Sequence, residues 1–561
     1  MKRILILMCV FLGAACCTKE DKHKTDDGPK ELAVPSDVKL HDATETTLTF
    51  QWKDVKNATG YNWTLDEKET GQSAGVGSTA KRNTSVTGLK KGTVYVFKVR
   101  AEAGGSHSEY CDGVEAKTLG EPTPDDVAKV CTDAPLVLKL DSAPELGTSG
   151  YIKVFTASGK EVDSVNMADI ATVNVLESGI MVPKEQITAA TEKNTFMDVL
   201  SSGGRTRTVH YTPVKVKGKT LEIRLHSGVL DFDSEYYVTV DESVCGKAVE
   251  AGEWKVFTKA APESANNLTV DAAGGSDFCT VQGALSFADP NGAEIVVMDG
   301  TYEEMLYLRD KKDIYLHGLS WKPATIVYPN SEVYMNGSSA RCLWLVENCD
   351  NLVIENLTIE NSFWASDHKG QAETIYFNSG NGSHRLTIGN CSLISWQDTF
   401  LCKGQVWVHN SLIAGHCDYI WGYPKACFIE NCEIRSRAAG YIVQARVQSA
   451  SDKGFVFKNC RLTAEEGVKD GSVYLARSAG QSDCFDNVVF INCTMGSVIR
   501  PEGWLGSPAP NPSAPTATSG WRENNSKDAS GNPITTHNAF GKVLTSAEAA
   551  PYSTREDVLG W

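Results

Sequence analysis

From residue 265 to the C-terminus a short apolar strand recurs, each copy closing on an asparagine. The copies are Val353-Ile-Glu-Asn-Leu-Thr-Ile359, Leu386-Thr-Ile-Gly-Asn-Cys-Ser-Leu393, Val406-Trp-Val-His-Asn-Ser-Leu412, Phe428-Ile-Glu-Asn-Cys-Glu-Ile434, Val456-Phe-Lys-Asn-Cys-Arg-Leu462 and Val489-Phe-Ile-Asn-Cys-Thr-Met495. The landmark residues Asn356, Asn390, Asn410, Asn431, Asn459 and Asn492 stand 34, 20, 21, 28 and 33 apart. A strand per repeat with periods in this range predicts a β-solenoid, the longer gaps being loops inserted in a coil. The position after the asparagine holds Cys391, Ser411, Cys432, Cys460 and Cys493, which predicts an inward ladder of small residues with free thiols. Upstream, residues 35–119 alternate apolar and polar positions between turn signals, as in Thr47-Leu-Thr-Phe-Gln-Trp52 and Thr93-Val-Tyr-Val-Phe-Lys-Val-Arg-Ala101. After the joint Glu121-Pro-Thr-Pro-Asp125, residues 126–260 read the same way. The pattern therefore predicts an all-β chain: two β-sandwich domains, expected to act as spacers, followed by a parallel β-helix over 265–561.

Charge narrows the partners. With 54 Lys and Arg against 70 Asp and Glu, a net charge of −16 argues against nucleic acid, whose binding depends on clustered cations. The long apolar run of the 561-residue chain is at its N-terminus, Met1 to Cys17, where two cations precede an apolar stretch and small residues ending in cysteine. That is the layout of an export signal, too short to span a membrane. The small-small-Cys ending resembles a bacterial lipoprotein signal, which makes Cys16 the expected lipidation site and Cys17 the alternative. Residues 18–34 are charged and read as a solvated tether. The expected address is the outer membrane of a Gram-negative bacterium, at the cell surface or periplasmic face, with the protein monomeric and held by its lipid. Of the 17 cysteines, three lie in the signal, three are scattered and eleven follow residue 265, a distribution that does not suggest a disulfide scaffold.

The candidate chemistry lies in two middle repeats. Asp398 follows Asn390 by eight residues, and Asp418 follows Asn410 by eight. The same register on successive coils places one carboxylate over the other at about the inter-strand spacing of 4.8 Å. Two carboxylates so close should separate in acidity, one rising and the other needing a cation. Trp396, Phe400, Tyr419 and Trp421 stand around the pair and are expected to wall an apolar cleft.

Gly300-Thr-Tyr-Glu-Glu304, Gln371-Ala-Glu-Thr-Ile375, Gln397-Asp-Thr-Phe400, Asp418-Tyr-Ile-Trp-Gly422 and Pro501-Glu-Gly-Trp504 resemble, in order and spacing, the signature blocks of pectin methylesterases. The spacing of Pro35, Trp52, Tyr61, Leu89, Tyr95 and Ala101 resembles a fibronectin type III domain, and residues 126–260 resemble a bacterial Ig-like domain. The first resemblance implies a right-handed parallel β-helix that hydrolyses galacturonate methyl esters in pectin (methylated homogalacturonan) without metal or organic cofactor. It implies Asp418 as nucleophile, Asp398 as general acid and then base, Gln371 and Gln397 as oxyanion donors and Arg477 as partner of Asp418. Trp504 joins Trp396, Phe400, Tyr419 and Trp421 as an expected substrate contact. Where the family reads Gly-Arg-Pro-Trp, this chain has Ala476-Arg-Ser-Ala479, and Leu401 replaces a common aromatic, which bears on substrate choice. The module carries 22 Lys and Arg against 32 Asp and Glu, a field that disfavours long demethylated product. Two other readings are a non-catalytic glycan-binding surface lipoprotein and a β-helix polysaccharide lyase.

Overall fold

The asparagine at the end of each repeat strand is where the chain turns left-handed. In a computed structural model describing residues 32–119, 129–187, 194–320, 324–364, 370–534 and 537–561, Asn356, Asn390, Asn410, Asn431, Asn459 and Asn492 all have φ between 50° and 59°. This conformation costs most side chains roughly 1–2 kcal/mol, and asparagine tolerates it because its short amide bonds locally. A seventh turn of the same kind falls at Asn525, whose amide donates to Asn492 Oδ1 at 2.8 Å. The cysteine signature is replaced there by Ser526, so the repeat is weaker in sequence than in space.

These turns close a parallel β-helix. One wall is an eleven-stranded parallel sheet from Asn267–Val270 to Gly541–Val543. The other two walls start as separate ladders. They merge where Leu412–Gly422 and Glu433–Ala445, strands of 11 and 13 residues, bend from one wall into the next. The interior is filled by stacked aliphatics such as Ile354, Ile388, Val408 and Ile429, all fully buried. The small-residue ladder is buried beside them: Ser411 Oγ accepts from Cys391 N at 3.0 Å, and Cys432 Sγ accepts from Ser411 N at 3.4 Å. Each ladder thiol donates to a carbonyl of its own or the preceding coil, as Cys460 does to Ile429 O at 3.3 Å. Burial pushes the Cys391 thiol up to about 12.

Residues 32–119 form a separate compact unit of two antiparallel sheets, three- and five-stranded, packed on Leu48, Phe50, Trp52, Tyr61, Leu65, Tyr95 and Phe97. The Tyr95 hydroxyl accepts from Lys90 N at 2.9 Å and pins the loop before its own strand.

The second sandwich departs from the spacer expectation. Its four- and three-stranded sheets enclose their own core. The added hairpin Met197–Ser202 and Arg205–His210, however, shares one continuous core with the β-helix through Met197, Leu200 and Val209. That hairpin lies over Leu306–Arg309, the first strand of its ladder, where Ser202 Oγ accepts from Arg309 N at 2.8 Å. On the same edge Gln282, in the helix Val281–Phe287, accepts from Tyr307 N at 2.7 Å and donates to Tyr307 O at 3.2 Å. Burying apolar surface on both partners makes this a docked domain.

Because every ladder thiol already has a carbonyl to donate to, none needs a partner sulfur. Alkylation of the denatured, unreduced protein is expected to label Cys391, Cys432, Cys460 and Cys493, and an unlabelled member of the set would reveal a disulfide.

Candidate active site

The corner between two walls of the helix needs a left-handed residue on each of two neighbouring coils, and both times it is aspartate: Asp398 at φ 66° and Asp418 at φ 47°. Backbone pairing fixes their register, since Gln371, Gln397 and Cys417 form successive parallel bridges and Asp398 N donates to Cys417 O at 3.0 Å. The two aspartates therefore sit one above the other on adjacent strands, whose backbones are about 4.8 Å apart. Strained backbone held by regular neighbours is a common setting for functional side chains.

The two aspartates are compensated differently. Arg477 Nε donates to Asp418 Oδ1 at 2.8 Å and Oδ2 at 3.0 Å, Arg477 Nη2 also reaches Oδ2, and Gln444 Nε2 donates to Oδ2 at 3.0 Å. The guanidinium lies over the Tyr441 ring at 4.7 Å, and Tyr441 stacks on Tyr474. A planar fork on a carboxylate, stacked on an aromatic face, fixes both the charge and the direction of the oxygens.

Asp398 has a poorer arrangement. Its cation is Arg341, which is shared among three carboxylates: Glu373 at 2.8 to 3.1 Å through Nε and Nη2, Glu332 at 2.7 Å and Asp398 at 3.2 Å. Asp398 is 2% exposed and Glu373 fully buried. Burial pushes both carboxyls up; Glu373 and Asp418 push Asp398 further, while Arg341 pulls Glu373 back more closely than it does Asp398. One guanidinium cannot neutralise this group, and Asp398, which it reaches at the longest distance of the three, is the carboxyl most biased toward holding a proton. Gln371 completes the arrangement, donating Nε2 to Asp398 Oδ2 at 2.9 Å while its Oε1 accepts from Arg341 Nη1 at 2.7 Å. Cys417, in the same outward column, is no competing nucleophile at neutral pH, because burial and the neighbouring aspartates push its thiol up to about 12.

Three expected substrate contacts are not in a cleft. Phe400, Tyr419 and Trp504 are at most 1% exposed and belong to the interior core, Tyr419 bonding Ser436 and Trp504 stacking on Trp521 at 5.4 Å. The left-handed corner reverses the in-and-out alternation, so the residues after each aspartate turn inward. Trp396 and Trp421 lie outside that core beside the pair, each covered by an arginine: Arg437 over Trp396 at 4.2 Å and Arg446 over Trp421 at 4.9 Å. Gln397 lies in register with Gln371, half-buried. Arg341, Glu332 and Gln444 were not singled out from sequence, and Glu373 only as a letter of its motif. Arg341 sits in the four-residue helix Ser338–Arg341, which has no repeat period to betray it. Among the described residues, Cys131, Asp133 and Cys279 lie within 4.8 Å of one another and have ligand types suited to a metal, apart from the aspartate pair. Asp133 there already accepts from Cys279 N and Thr280 N.

The family model described as pectinesterase matches residues 267–558, and that for the fibronectin type III domain matches 33–115. Similar proteins include a probable pectinesterase A of Aspergillus flavus, 28% identical over 239 residues, covering 41% of this chain and 70% of that protein. Pectinesterase A of Emericella nidulans is 26% identical over 259 residues, covering 44% and 76%. Among solved structures, a pectin methylesterase from Aspergillus niger aligns at TM-score 0.43 and 24% identity over 54% of this chain and 95% of that one. One from carrot aligns at 0.44 and 21% over the same shares.

Asp398 ionises in the unfolded chain but is held back from ionising in the fold, and Asp398→Asn removes that difference. A carboxyl whose acidity is weakened by folding stabilises the fold fully below the ordinary carboxylate range and loses that contribution as pH rises through its folded value. Asp398→Asn is therefore expected to melt above the wild type at neutral pH; in a compact unit spanning 122–561, a gain of about 1 kcal/mol corresponds to roughly 1 °C. The difference should shrink at pH 4, as measured by thermal unfolding at both pH values.

Proposed function

The chain belongs to the pectinesterase family and hydrolyses methyl esters of pectin, and from that premise we propose that Asp418 is the nucleophile and Asp398 the acid, then the base. The observation that carries this division is the unequal compensation of two stacked carboxylates: Arg477 serves Asp418 alone, whereas Arg341 is shared among Asp398, Glu373 and Glu332. An ionised, oriented carboxylate can attack an ester carbonyl. Methoxide is a poor leaving group, so a proton must be delivered as the C–O bond breaks, and a buried protonated carboxyl one strand away can deliver it. Gln371 and Gln397, aligned on adjacent coils, donate to the oxyanion, each contributing on the order of 2–4 kcal/mol. Methanol leaves carrying the Asp398 proton, and galacturonate remains joined to Asp418 as an acyl-enzyme. The ionised Asp398 then takes a proton from water, whose hydroxyl splits the acyl bond. Asp418 is released with the galacturonate acid, and Asp398 is protonated again. Trp396 and Trp421 contact the sugar only if Arg437 and Arg446 move off their faces, which makes these two arginines part of substrate choice.

We further propose that the chain is exported and held by a lipid on Cys16, on the outer membrane of a Gram-negative bacterium. The sequence from Met1 to Cys17, which lies outside the described residues, supports this by its charge, length and small-small-Cys ending. Replacing Cys16 and Cys17 together by Ser should move the protein from the membrane to the soluble fraction. Retention of that variant on the membrane, with no lipid on the wild type by mass spectrometry, would refute the anchor.

Asp418→Asn and Asp398→Asn should each lower methanol release from methylated oligogalacturonates by several orders of magnitude while binding persists. The double variant should be little worse than either, since both act in one step. Gln371→Ala should cost less, about 10²–10³-fold. Near wild-type methanol release by Asp398→Asn would remove its acid/base role, and by Asp418→Asn the nucleophile.

A further inference from the structure

Asp398 owes its surroundings to a segment that the second sandwich holds from outside the β-helix. Glu332 and Arg341 lie on the stretch 330–342, which leaves the wall of the helix after Ala324–Tyr328 and returns to it at Trp344–Glu347. Three contacts from the sandwich reach this stretch. Arg207, 6% exposed, points its guanidinium at main-chain carbonyls on both sides of Arg341. Its Nη2 donates to Ala340 O at 3.2 Å and to Cys342 O, and its Nη1 to Leu343 O at 3.1 Å and Leu306 O at 2.6 Å. Ile187 pairs with Met335 as a parallel bridge, its N–H donating to Tyr334 O at 2.8 Å, and the neighbouring Gln186 amide donates to Glu332 O. His210, on the same hairpin as Arg207, bonds Asn330 Oδ1 at 3.2 Å, and Asn330 Nδ2 donates to Ala340 O at 2.9 Å.

The far side of the stretch faces the reaction. Glu332 N donates to Gln371 O at 2.9 Å, and Arg341 holds Gln371 Oε1, Glu373 and Asp398. A buried guanidinium without a carboxylate is costly, and one whose donors are matched to several fixed carbonyls gains orientation in return. We propose that the second sandwich is a working part of the active site: Arg207, with Gln186 and Ile187, holds residues 330–342 so that Arg341 keeps Gln371 and Asp398 in position. These are positioning residues, acting through Arg341, and the inference rests on the assignment of Asp398 as acid and base.

Arg207→Met in the full-length chain should lower kcat for methanol release about 10- to 100-fold, the scale on which small misplacements of reacting groups act, with KM changed less than about twofold. The alkaline limb of kcat/KM should move to higher pH, because an Arg341 that drifts away no longer helps draw the proton from Asp398. Arg207→Lys, which keeps a cation and three donors, should recover part of kcat. Gln186→Ala changes an exposed side chain and should shift the same limb in the same direction without changing the melting temperature; it decides the matter if Arg207→Met does not fold. Folded Arg207→Met and Gln186→Ala with wild-type kcat and pH profile would overturn the proposal. Its failure is distinguishable from failure of the acid/base reading: an inactive Asp398→Asn beside normal Arg207 and Gln186 variants refutes only the clamp, whereas an active Asp398→Asn refutes the reading beneath it.

Discussion

Main-chain hydrogen bonding between successive coils is the interaction on which the rest of this molecule depends. It puts residue over residue at a fixed spacing, so anything repeated in sequence at one register becomes a column in space. The asparagine column lets each strand turn, the cysteine and serine column fills the corner beneath it, and the aspartate column is the same device carrying chemistry. A pair of carboxylates this close would drift apart on flexible loops. Here the strands above and below leave them no freedom to do so, and the two differ instead in how their charge is compensated.

That difference is set by a local shortage of positive charge. Around Asp418 one arginine serves one carboxylate, with Gln444 as a further donor. Around Asp398 one arginine serves three. Both arrangements follow one plan, an arginine and a glutamine for each aspartate, taken from preceding coils in one case and following coils in the other. The departure of the chain from the family pattern at Ala476-Arg-Ser-Ala479 leaves the Asp418 side of this plan in place, because Arg477 still reaches its partner and Tyr441 supplies an aromatic face beneath it.

The repeat and the stacked aspartates were legible because each depends on register, and register is written in spacing, whereas the Arg477 partner came with the resemblance of its block to the family. The direction of Phe400, Tyr419 and Trp504 was not, because alternation counted along a strand does not survive a left-handed corner. Arg341 was illegible for another reason: it sits on an irregular excursion whose only order comes from what presses on it. The same holds for the second sandwich. Its strands could be read, but its docking depends on Arg207 finding carbonyls 99 to 136 positions away, and no local pattern encodes that.

A coil of stacked strands has ends, and an uncovered end is a template on which another chain can add its own first strand. In this molecule the residues of Leu306–Arg309 that face away from the ladder are Tyr307 and Arg309, and side chains occupy their N–H and C=O groups: Gln282 both groups of Tyr307 and Ser202 both groups of Arg309. Side-chain amides and hydroxyls satisfy the edge without offering a further edge in turn. The second sandwich and the short helix thus cover this edge between them, and a catalytic module cut free at residue 265 would keep Gln282 but lose Ser202. The groups of Arg309 would then stand open to pairing with a strand of another chain.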